Sequence, residues 1–205
     1  MFANISLRFY SPAMDLTSIT PSPQALKALT HPVRLRMLGL LRIEGPATAT
    51  QLATRLGLNS GATSYHLRQL AQHGFIVDDE ERGNARDRWW KAAHQATTTE
   101  REEPADEETR QTMDAYLQSV ATVLTEQLQR AVEEHGLLSD EWRHASTFSD
   151  YGIRLTPARA RALLDHVHDW FMSQDEEPDD DPATADFVIQ IAAFPRPGTV
   201  TGDKQ

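Results

Sequence analysis

Three patterns predict a mainly α fold with a small β component (α+β) for this 205-residue chain. Residues 51–73 hold two helical patterns split by a glycine turn, with two short β-prone runs directly after them. Residues 107–134 form one long helical pattern without Gly or Pro. Beyond it the chain alternates as strand, helix, strand over residues 141–194.

Residues 1–22 bear Ser, Thr and Pro, and Pro12, Pro21 and Pro23 oppose a helix there. A flexible arm is predicted, and Met14 is a possible internal start. Gln24 to Leu29 reads as a short helix. Pro32 suits a first helical position, and Val33 to Ile43 continues the helix with Val33, Met37, Leu40 and Leu41 on one stripe. Arg34 and Arg36 suit phosphate contact or pairing with nearby acids about equally.

The next helical segment, Gln51 to Leu56, halts at Gly57, and Leu58 and Asn59 make the bend. Ser60 is placed as the N-cap of a second helix that runs to His73 and stops at Gly74. At 100° per residue Thr63, Leu67 and Leu70 share one face, with Ala71 at its edge. The opposite face carries Gly61, Ala62, Tyr65, Arg68, Gln69 and Gln72. It is small at its N-terminal end and polar or aromatic beyond, as a helix entering a major groove requires. Phe75-Ile76-Val77, the turn at Arg82-Gly83-Asn84 and the run Arg88 to Lys91 then read as a hairpin with a basic tip. Helix, turn, helix and basic hairpin together predict a winged helix-turn-helix over residues 23–95.

This stretch resembles the winged helix-turn-helix domain of ArsR/SmtB-type bacterial transcriptional regulators. The matching pieces are His31-Pro32 with Arg34 and Arg36, the Gly45-Pro46 step, the Ala-rich first helix, and Ser64-Tyr65-His66-Leu67 followed by Leu70 and Gly74. The resemblance covers about residues 24–93 and implies a dimeric DNA-binding regulator whose affinity answers a signal. The candidate DNA-contacting set is Ser60, Gly61, Ala62, Ser64, Tyr65, Arg68 and Gln69 on the recognition helix. Arg82, Asn84, Arg86 and Arg88 join it from the wing, residues 75–93. Asp78 to Glu81 precede the tip and oppose phosphate, while Trp89 and Trp90 point to opposite strand faces, so one of them belongs to the core. His66 lies beside the buried stripe and reads as a hydrogen-bonded packing residue.

Residues 96–106 read as an acidic, Thr-rich linker. In the long helix of residues 107–136, Met113, Tyr116, Leu117, Val120, Leu124 and Leu128 recur at threes and fours, with Val132 continuing the stripe. A second copy of the helix would cover that stripe and space two DNA-binding domains about one turn of DNA apart. Intrachain packing is the competing expectation. Residues 137–205 read as a small α/β accessory module with a disordered tail. Glu141 to Leu155 is predicted as strand with a turn near Asp150, Ala158 to Met172 as a helix capped by Thr156-Pro157, and Phe187 to Phe194 as the clearest strand. Leu163, Leu164, Val167, Trp170 and Phe171 form the helix's apolar stripe.

Charge divides the chain. Residues 1–93 hold 11 Lys and Arg against 7 Asp and Glu, and residues 94–205 hold 9 against 23. A basic domain attracts phosphate while the acidic remainder repels it. The absence of Cys removes disulfides, thiolate metal sites and thiol switches, and suits a reducing cytoplasm. No apolar run reaches the length of a membrane span. The family's thiolate pair is missing; for its other metal site the long helix offers only Asp114 and a distant His135. His166 and His168 lie 200° apart on one helix and do not share an ion from it. No metal and no cofactor is therefore expected. No phosphate loop, nucleophile elbow or HExxH motif asks for catalysis.

Two functional readings stand. One is a homodimeric regulator that binds double-stranded DNA at an inverted repeat and answers an unidentified effector or partner protein. The other is a protein-interaction module whose acidic half holds a partner; it has no reason to keep the wing tip and the Tyr65–Arg68 face electropositive.

Overall fold

A computed structural model describes residues 17–82, 88–99, 106–175, 177 and 181–200. The elements in order are β1 (Ser18–Ile19), α1 (Pro23–Leu26), a 3-10 turn (Lys27–Leu29), α2 (Pro32–Ile43), β2 (Ala47–Thr48), α3 (Ala49–Leu56) and α4 (Ser60–Gln72). They continue as β3 (Ile76–Asp78), β4 (Trp89–Ala92), β5 (Ala96–Thr97), α5 (Glu107–Glu134), a second 3-10 turn, α6 (Asp140–Ala145) and α7 (Pro157–Met172).

α2 is the centre of the core. It packs on α4, α5 and β4, so it is covered on several sides at once. Leu35, Met37, Leu38 and Leu41 are buried, whereas Val33 and Leu40 of the expected stripe are only partly covered. A helix enclosed on more than one side has no single stripe, which is why the period misplaces it. Leu29, Leu52, Leu67, Leu70, Phe75 and Ile76 are among the residues that join them in the core.

β4 lies between β2 and β3, antiparallel to both, with Ile76 opposite Ala92 and Asp78 opposite Trp90. Trp90 is buried and Trp89 half-buried, as adjacent residues on one strand require. A separate parallel pair joins β1 to β5, with Ser18 opposite Ala96. This corrects two expectations. Residues 17–22 are not a loose arm, because their backbone is held by β5 and Ser22 caps α1, where Pro23 stands at the helix start. Ala96 to Thr99 are likewise part of the fold rather than linker, with Thr97 and Thr99 buried. Arg42 crosses beneath them, its Nε donating to His94 O at 2.9 Å and its Nη2 to Thr97 Oγ1 at 2.8 Å. Burial lowers the Arg42 guanidinium to about 10, and the facing Tyr116 phenol is pushed up to about 12 by its own burial.

α5 begins at an Asp106 cap and lies along α1 and α2 of the same chain. Tyr116 and Val123 are buried there, and Met113, Leu117 and Val120 pack against the same core. The intrachain alternative thus holds for the N-terminal half of α5. Tyr116, expected at a dimer contact, is fully enclosed within one chain. Spacing at threes and fours says that a face is covered, not which chain covers it. Leu128 and Val132 remain exposed.

The C-terminal strands do not form. Residues 140–145 are a short helix capped by Ser139, and among the described residues neither 146–155 nor Phe187 to Phe194 belongs to a strand ladder. Both stretches carry β-prone residues, but a strand requires a hydrogen-bonded neighbour, and among the described residues neither has one. α7 forms as expected, with Thr156 accepting from Arg159 N, yet none of its residues is buried.

Candidate nucleic-acid interface

Local chemistry fixes the angle between α3 and α4. Thr48 and Gln51 make a reciprocal capping box at the start of α3. Gly57 ends α3 at φ +63°, where a residue with a Cβ would be strained, and its reversal leads into the bend. The cap of α4 is Asn59 and not Ser60: Asn59 Oδ1 accepts from Ala62 N at 2.8 Å, which makes Ser60 the first helical residue. Both side chains are cap formers, and their adjacency hides the one-residue difference.

α4 is anchored by Thr63, Leu67 and Leu70, all fully buried. Thr63 also donates its hydroxyl to Asn59 O at 3.0 Å. The other side presents Ser60, Gly61, Tyr65, Arg68 and Gln72 to solvent, with Ala62, Ser64 and Gln69 half-buried beside them. Tyr65 is 52% exposed, with its ring edge-on to that of His66 at 5.5 Å. The face is therefore smooth at the helix N-terminus and rich in donors further along.

The wing base is held by acids that sequence reasoning set against DNA. Asp79 is buried and accepts from Lys91 Nζ at 3.0 Å, with Arg82 3.7 Å away. Asp78 takes Arg88 Nε at 2.6 Å. Arg88 lies over the Trp90 ring at 4.1 Å and Arg82 over Trp89 at 5.9 Å. Asp78 and Asp79 thus pair with the cations that flank them on the wing. Cross-strand register, Asp78 opposite Trp90 and Val77 opposite Lys91, is the signal that would have found them. Asn84 and Arg86 lie outside the described residues.

Arg34 and Arg36 are structural. Arg34 donates to the carbonyls of Ala28 and Lys27, and Arg36 pairs with Glu126 of α5 at 3.2 Å. His66 packs its ring on His31 with centroids 4.7 Å apart, but among the described residues its buried Nδ1 has no hydrogen-bond partner, contrary to expectation. His31 in turn caps α2, its Nδ1 accepting from Val33 N at 3.2 Å. Burial lowers the pKa of both imidazoles; Arg34 and Arg36 lower that of His31 further, and His31 and then Arg34 that of His66.

Residues 29–78 match the family model described as a helix-turn-helix domain. The chain is 36% identical over 69 residues to the HTH-type transcriptional regulator NmtR of Mycobacterium tuberculosis, across 34% of this chain and 57% of that protein. With the β3–β4 hairpin, the helix-turn-helix carries the strand pair of a winged arrangement. The chain spans little more than half the length of this curated relative. Among solved structures, Lactococcus lactis ZitR (C30AH42A mutant, apo form) overlaps with a TM-score of 0.29 at 15% identity, covering 68% of this chain and 81% of that one. Mycobacterium tuberculosis RV1404 overlaps with a TM-score of 0.29 at 16% identity, covering 75% and 86%. Overlaps at that level leave the assignment resting on the sequence matches and the topology. Among the described residues no helix is long and apolar enough to cross a membrane.

Proposed function

We propose that this chain is a sequence-specific transcription regulator of the bacterial cytoplasm that binds double-stranded DNA as a homodimer on an inverted-repeat operator. α4 enters the major groove and the wing rests on the backbone or in the minor groove. The observation that carries this reading is the exposed Ser60–Gln72 face, with donors at Tyr65, Arg68 and Gln69, held rigidly by the buried Thr63, Leu67 and Leu70. A small N-terminal end allows close approach to base edges, and Arg68 matches the bidentate acceptors of guanine. On the wing, Arg82, Arg86 and Arg88 supply phosphate contacts and Asn84 a polar one. Ser60, Gly61, Ala62 and Ser64 line the helix end nearest the groove.

The test is capture of genomic fragments by the purified full chain at physiological salt. A shared motif with two-fold symmetry supports the proposal; fragments without one, or no fragments, count against it. On the recovered site Arg68→Ala and the pair Arg82→Ala with Arg86→Ala weaken binding, measured by fluorescence anisotropy. Unchanged affinity in both would remove the recognition-helix and wing assignment.

A further inference from the structure

Among the described residues after Val123 none is buried, although this stretch holds most of the exposed large apolar side chains of the molecule. Phe148, Tyr151, Trp170, Phe187 and Phe194 are between 52% and 92% exposed. At roughly 150–250 Å² per aromatic side chain, those five leave on the order of 500–800 Å² in water. A stable dimer covers about 800 Å² per partner, an area of the same order.

Within this half the segment Phe187 to Phe194 stands apart. Its composition is β-prone, and among the described residues none of its backbone groups is hydrogen-bonded. Two contacts nevertheless hold it in place. Phe187 stacks on Trp142 of α6 with centroids 6.0 Å apart, and Gln190 Nε2 donates to Gln127 Oε1 of α5 at 2.8 Å. Alternation puts Phe187, Ile189 and Ile191 on one side. In strand conformation the segment presents an edge without a neighbour.

We propose that the neighbour is the same segment of a second copy of this chain, paired antiparallel across a two-fold axis. An isologous contact needs a self-complementary element, and a short apolar strand paired with itself satisfies that requirement. Charge permits it. Residues 124–200 hold 15 Asp and Glu against 6 Arg, but 7 of the acids lie between 175 and 186, ahead of the strand. The segment itself is uncharged, so two copies meet without like-charge opposition. The pairing turns the strand that sequence predicts into one that forms only between chains, and it brings Leu128 and Val132 of α5 toward the partner.

This inference rests on the homodimer reading, and the experiment separates the two. Sedimentation equilibrium of the full chain gives a dimer mass. Ile191→Pro, which removes a ladder donor, weakens dimerisation at least tenfold, while Ile191→Val leaves it near the parent value. Because the chain has no Cys, Ala192→Cys carries a single nitroxide, and adjacent strands place the two labels of a dimer within roughly 20 Å. A dimer with distant labels and an Ile191→Pro affinity equal to the parent overturns the pairing and leaves the homodimer intact. A monomer mass at every concentration overturns both. Helical circular dichroism of Ile191→Pro matching the parent excludes unfolding as the cause of a lost dimer.

Discussion

Arg68 and the His31–His66 pair differ in what their surroundings ask of them. Arg68 is exposed on α4, and no contact within the described residues holds it. A base-reading arginine is worth about 1–3 kcal/mol of discrimination, so Arg68→Ala lowers operator affinity roughly 5- to 150-fold while leaving non-specific binding nearly unchanged. Paired anisotropy titrations on the operator and on scrambled DNA measure the ratio; equal losses on both would make Arg68 a phosphate contact. The histidines act on folding. Both imidazoles titrate below the ordinary histidine value in the folded chain, first because burial disfavours the cation and then because Arg34 and Arg36 stand near His31, and His31 and Arg34 near His66. The unfolded chain therefore binds protons first as pH falls through about 6.5, and stability is lost from there down through the folded values. It is fully present above the unfolded value. The urea midpoint falls between pH 7.5 and 5.5, and His66→Gln reduces that fall. His31→Asn keeps an N-cap acceptor for Val33 N and reduces it without a large loss at pH 7.5. A midpoint equally pH-sensitive in both variants would exclude this pair as the source.

At the scale of elements, the turn between α3 and α4 sets the angle at which the exposed face of α4 is presented. Gly57 sits at φ +63° with open space where a Cβ would go, so Gly57→Ala costs only the left-handed backbone penalty, about 1–2 kcal/mol. Asn59→Ala removes the α4 cap and costs about 1 kcal/mol. Chemical denaturation measures both, and a Gly57→Ala loss near zero would mean that the turn relaxes into another conformation. These elements were legible because each is bounded by its own chemistry: Gly57, Gly74, Pro32 and Thr156-Pro157 punctuate helices locally. The exposed and buried faces of α4 followed from period alone for the same reason. What escaped reading depends on distant partners. β1 and β5 are two residues each and exist because Ser18 meets Ala96 across the fold. Asp79 reads as a surface acid until the register delivers Lys91 to it. Phe187 to Phe194 reads as a strand from composition, yet composition supplies no neighbour for its backbone.

Over the whole molecule, charge is arranged so that approach and docking oppose each other. The winged domain is basic, and the acid run of residues 175–186 concentrates the opposing charge in one short segment. At 0.15 M salt the screening length is about 8 Å, so that run does little to a docked complex unless it lies close to the phosphates. At low salt its field reaches much further and disfavours loosely held, sequence-independent encounters. Replacing the acids of this run with Asn and Gln therefore strengthens binding to scrambled DNA at low ionic strength, and the gain shrinks as salt rises. Binding to the operator changes less, because its free energy includes base contacts that the field does not touch. Specificity, the ratio of the two, thus falls in the neutralised variant at low salt and returns toward the parent value at high salt. Titrations on both DNAs across a salt series measure this directly. A gain that persists undiminished at high salt would instead place these carboxylates in contact with the DNA or with the wing, as a local competitor for Arg82 and Arg88.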